Sequence, residues 1–162
     1  MLNTHKSRSI PFFALSILFF TIQAHAQFHS SEGSIGSDCD NIAPIASTTE
    51  LSYVDDIQPI FDFNQCVSCH GSAAGLSLEA PDSYDNIVGV ATTASTGGLN
   101  RIEPGDPSQS FLFLKVNCES PGAGTSRMPL GSPTPLNALL QKKIEDWINQ
   151  GTPWFKSGFE DQ

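Results

Sequence analysis

Apolar residues in this chain recur at intervals of three and four over three stretches, and nowhere alternate for more than a few residues. Between Leu51 and Phe63, Val54, Ile57, Ile60 and Phe61 fall on one helical face. Ser52 stands at the capping position with Asp55 in the first turn, while Pro59 removes an internal donor and should bend or restart the helix. Asp106-Pro107 has the cap-then-proline order of a second helix start, followed by apolar Phe111, Leu112 and Leu114. The third stretch is the clearest. Thr134-Pro135 is expected to open it, and Leu136, Leu139, Leu140, Ile144, Trp147 and Ile148 form the stripe. Gln141, Lys142, Lys143, Glu145 and Asp146 make up its polar face, and Gly151 ends it. A shorter helix is expected near Asp82 to Val88. With no internal repeat and no sustained strand pattern, the expected class is all-α.

One apolar run does not belong to this scheme. Ile10 to Ile22 follows Lys6 and Arg8 and precedes Ala24-His25-Ala26, the order of a secretory signal peptide over residues 1–26. The run is too short to cross a hydrocarbon layer of about 30 Å as a helix. An exported, periplasmic or otherwise extracytoplasmic chain is therefore expected, with no integral membrane segment after cleavage. Residues 27–50 are rich in Ser, Gly, Thr and Asp and read as an extended leader, which places the folded domain at 51–157. Cleavage leaves 6 basic against 17 acidic residues, a formal charge of −11. Nucleic acid and anionic lipid both demand a basic surface, so the charge argues against them as partners. A partner protein with a basic docking patch is compatible with that charge.

Candidate chemistry concentrates in Cys66-Val67-Ser68-Cys69-His70. Two cysteines separated by two residues and followed by histidine form the attachment pattern of c-type haem. Positions i and i+3 share a helical face, so both thiols can reach the vinyl groups along one porphyrin edge, and His70 then offers an imidazole to the iron. A thioredoxin-like dithiol needs a βαβ setting that is missing from the pattern here. A structural zinc site needs further ligands at short spacing, whereas Cys39 and Cys118 stand far apart. In an exported chain those two cysteines most simply pair with each other, closing a loop of nearly eighty residues and pinning the leader to the body.

A haem held by one histidine has a sixth iron position that decides its use. Beyond the expected cleavage point the chain has two histidines, His29 and His70, and one methionine, Met128. His29 lies in the polar leader. Met128 lies in the loop Pro121 to Pro129, and the following proline biases it toward extended backbone. Met128 is the expected sixth ligand. An open position and His29 are the alternatives that the residues leave standing. Arg101 is a candidate partner for a haem propionate, and equally a surface charge.

These residues together resemble class I c-type cytochromes, most closely the planctomycete-type cytochrome c domain, over about Tyr53 to Trp154. The resemblance runs through Pro59-Ile60-Phe61, Cys66 to Gly71 and Gly75-Leu76-Ser77-Leu78. It continues in Arg101 to Pro107, Ser110, Lys115-Val116, Met128-Pro129 and Trp147 to Gly151. It implies a small helical fold wrapped around one covalently bound haem, His70 and Met128 as axial ligands, and electron transfer between redox partner proteins. The chain departs from that pattern at Leu130, where a second proline is frequent, at Cys118, and in its Cys39 leader. The competing reading is a haem enzyme or gas-binding sensor with an open or displaceable sixth position, Arg127 being the cation next to Met128. A third is a haem domain serving as a structural module.

Overall fold

Ser52 turns the chain into its first helix by accepting a hydrogen bond from the Asp55 amide, the cap expected there, in a computed structural model that describes residues 38–94, 98–122 and 125–155. The expected signal peptide and His29 lie outside the described residues. Tyr53–Ile57 form a π-helical turn that passes into α1 (Gln58–Phe63), with Pro59 in its first turn. The proline restarts the helix rather than merely bending it, because its missing amide is tolerated only where no internal partner is needed. Three further short helices follow: α2 (Cys66–Cys69), α3 (Ser83–Ile87) and α4 (Phe111–Asn117). The longest is α5 (Ala138–Asn149). The described residues contain no strand, only four isolated bridges, so the regular structure is helical as expected.

The core lies where the π-helical turn, α4 and α5 meet. Tyr53, Ile57, Ile87, Ile102, Phe113, Ile144, Trp147 and Ile148 are all buried to within 1% of complete exclusion from solvent. Each such side chain contributes about 1.5–3 kcal/mol of transfer free energy. Tyr53 has the rings of Phe61, Tyr84, Trp147 and Trp154 around it at centroid distances of 5.1–6.4 Å. The Pro153 carbonyl accepts from both the Tyr53 amide (2.9 Å) and Trp147 Nε1 (3.1 Å), which returns the chain after α5 to the start of the first helix.

Two helices differ from their sequence expectation. Asp106 does cap a proline-led turn, accepting from the Ser108 and Gln109 amides, but that turn is a 3-10 segment, Pro107–Gln109. Ser110 is extended and separates it from α4, its hydroxyl donating to the Asp106 carbonyl. The last helix begins at Ala138, not at Thr134-Pro135, because the Asn137 side chain takes the Leu139 amide at 2.8 Å. Leu136 is buried ahead of the helix, and Leu139, counted into the apolar stripe, is 64% exposed.

The polar face of α5 is the larger correction. Gln141, Lys142 and Asp146 are buried, because residues 40–48 of the leader lie along that face, with Leu51 of the body beyond them. Gln141 Nε2 donates to Asp40, Lys142 Nζ to Ser47 Oγ, the Thr48 amide to Asp146, and the Leu51 amide to Gln150. Ile42 is buried within the same core as α5. The described part of the leader, residues 38–50, has no helix of its own, yet it is packed.

Candidate functional site

The turn that carries the cysteines is built by local hydrogen bonds. Asn64 closes α1 through its amide and its side chain, both to the Ile60 carbonyl, and Gln65 adopts φ 59° to redirect the chain. Ser68 Oγ then donates to the Gln65 carbonyl at 2.6 Å. The His70 amide closes the turn on the Cys66 carbonyl at 2.8 Å. Cys66 and Cys69 thus stand at i and i+3 on one helical turn, and neither is in a disulfide. Cys66 is half-buried, and burial pushes its thiol pKa up; Cys69 is exposed.

His70 is held from the opposite side. Its carbonyl accepts the Leu78 amide at 2.6 Å, and Leu78, itself buried, offers its own carbonyl to Gln58 Nε2 at 3.0 Å. Imidazole Nδ1 lies 3.4 Å from the Ala73 carbonyl. With the proton on Nδ1, Nε2 keeps its lone pair for a metal, the usual arrangement of a ligating histidine. At Gly71 a β-carbon would stand 3.2 Å from the carboxylate of exposed Glu79, a contact that a small shift of that side chain relieves.

Met128 stands on a different segment, half-buried and tied to α4. Its amide donates to the Lys115 carbonyl at 2.7 Å, Lys115 Nζ donates to the Ser126 carbonyl, and Arg127 reaches the Val116 carbonyl at 3.1 Å. Three successive residues of the Pro121 to Pro129 loop, a strap running past α4, are therefore moored to two residues of one helix. Arg101 is engaged as well: its guanidinium bridges the Asn86 and Gly75 carbonyls at 2.6 and 2.7 Å. Only its remaining N–H groups are left for a propionate. Sequence reasoning did not foresee this clamp, because backbone carbonyls leave no trace in residue identity.

The structure brings Cys66, Cys69 and His70 onto one turn and leaves Met128 and Arg101 on separate segments. Two open clefts lie elsewhere; one is lined by Asn100, Glu103 and Asp106, the other by Tyr53, Pro81 and Trp154. Neither has Cys66, Cys69, His70 or Met128 in its wall. The expected Cys39–Cys118 disulfide is present, at a separation of 79 residues. Among the described residues no three His, Cys, Asp or Glu side chains converge as a metal-binding group. Nor is any described helix long and apolar enough to cross a membrane. Comparison with protein-family models, with curated proteins and with solved structures finds no match.

Proposed function

We propose that this chain is an exported single-haem c-type cytochrome that carries electrons. The observation that carries the reading is the Cys66–Cys69 turn with two unpaired thiols and His70 immediately after it, in a chain whose other two cysteines are joined. A bound haem c would supply the one-electron couple. Each cysteine S–H would add across one vinyl group to give a thioether with no atom lost, so the attached mass would equal that of one whole haem. His70 would offer the iron an imidazole nitrogen and Met128 a thioether sulfur, a ligand that favours ferrous iron and raises the potential relative to a second histidine. The excess of acidic residues draws redox partners with basic patches.

The geometry of Arg127 weighs against the enzyme reading. A distal cation must be free to meet a bound ligand, and this guanidinium is occupied by Asp40, Glu119 and the Val116 carbonyl. The deciding experiment is expression in a host competent in cytochrome maturation, followed by mass spectrometry and visible spectra with and without carbon monoxide. The expected product is coloured, heavier than the processed polypeptide by one haem, and slow to bind carbon monoxide when reduced. A colourless protein of bare polypeptide mass refutes haem attachment. Fast, complete carbon monoxide binding at neutral pH refutes Met128 ligation and supports the sensor.

A further inference from the structure

We infer that Asp40, in the leader outside the expected cytochrome domain, is a positioning residue for Met128 and acts through Arg127. Asp40 meets Arg127 with both carboxylate oxygens, and the same guanidinium donates through Nε and Nη2 to the Val116 carbonyl. The residue immediately before Met128 is thereby held between the leader and α4. Its side chain is 10% exposed, so the pairing is shielded from solvent on the arginine side. A paired fork of this kind fixes orientation as well as distance.

Asp40 is itself placed from three directions. Its amide and carbonyl exchange hydrogen bonds with Asn117, at 2.9 and 3.2 Å. Gln141 Nε2 donates to its carboxylate at 2.7 Å, and the neighbouring Cys39 is joined to Cys118. Asp38 continues the pairing, accepting the Glu119 amide on its carbonyl and the Ser120 amide on its carboxylate. The leader is thus fastened to the end of α4 at the level where the strap departs. Together these contacts make the leader a third support for the strap, alongside Lys115 and Val116.

The consequence for iron ligation rests on the reading of Met128 as sixth ligand, but the mooring of the strap does not. The test compares the full chain carrying Asp40→Asn with the unsubstituted protein, by hydrogen exchange at the Met128 amide relative to the Ile148 amide of α5. Local loosening should speed the first about tenfold or more and leave the second unmoved, whereas general destabilisation moves both. In the haem-loaded protein, the weak near-infrared band of a sulfur–iron(III) bond should diminish and carbon monoxide should bind the reduced form faster. Should Asp40→Asn not fold, Arg127→Lys keeps the charge but loses the fork, and the same shifts are expected. A Met128-to-Ile148 exchange ratio unchanged in the folded variant overturns the inference. Absence of the sulfur–iron band in the unsubstituted protein refutes Met128 ligation instead, and the exchange comparison then decides the role of Asp40 alone.

Discussion

Cys66 and Cys69 differ in a way that the haem-free chain should report. Burial raises the Cys66 thiol above its ordinary range, while Cys69 is open to solvent, so less Cys66 thiolate is present at mildly alkaline pH. An alkylating reagent should therefore label Cys69 first, by several-fold, when peptides of the haem-free protein are followed by mass spectrometry; equal rates would contradict the environment described for Cys66. The ligand assignment has its own test. Met128→Ala should open the iron to carbon monoxide and lower the reduction potential, and His29→Ala should do neither. The reverse pattern would hand the sixth position to the leader. The turn that brings Cys66, Cys69 and His70 together was legible in the sequence because its members are adjacent and in fixed order. The positions of Arg101 and Arg127 were not: one clamps backbone carbonyls of Gly75 and Asn86, and the other's carboxylate partner Asp40 lies 87 residues away.

Helix α5 shows where hydrophobic periodicity succeeds and where it misleads. Ile144, Trp147 and Ile148 are fully buried as their spacing requires, and Gly151 follows the helix end with φ 81°. The same rule assigned Gln141, Lys142 and Asp146 to water, because a period of apolar residues is silent about polar burial. Beyond the Lys142–Glu145 and Lys142–Asp146 pairs within the helix, their partners include Asp40, Asn117, Ser47 and Thr48, which the apolar period of α5 does not reveal. The expected first turn failed for a related reason, since Asn137 outcompetes Thr134-Pro135 as the cap by taking the Leu139 amide. Two substitutions separate these cases. Gln141→Ala removes the bonds that its side chain makes to Asn117 Nδ2, the Leu136 carbonyl and the Asp40 carboxylate, and should cost about 1–3 kcal/mol in urea unfolding. Leu139→Ser, on the exposed side, should stay within about 0.5 kcal/mol. A large loss at Leu139 with none at Gln141 would restore the face assignment drawn from the sequence.

The leader and the body are joined by covalent and ionic links that can be released separately. The disulfide closes a loop of 79 residues in the unfolded chain, which the chain-entropy argument values at up to about 4–5 kcal/mol. Reductant, or Cys39→Ser with Cys118→Ser, should therefore lower the melting temperature by many degrees, and an unchanged melting temperature would mean that the bridge constrains little. The ionic link responds to acid. The Arg127 guanidinium holds the Asp40 carboxyl below its ordinary value of 3.8, opposed in part by burial and assisted by Gln141. A carboxylate lowered on folding stabilises fully above its unfolded value and loses that contribution as pH falls through the folded one. The stability difference between the unsubstituted chain and Asp40→Asn should thus be constant from neutral pH to about pH 5, then shrink below about pH 4. Urea midpoints for both proteins at a series of pH values measure it directly. A gap that stays level into strong acid would show that the Asp40 charge contributes nothing to holding the leader, and that the Cys39–Cys118 bridge and the backbone pairing with Asn117 suffice.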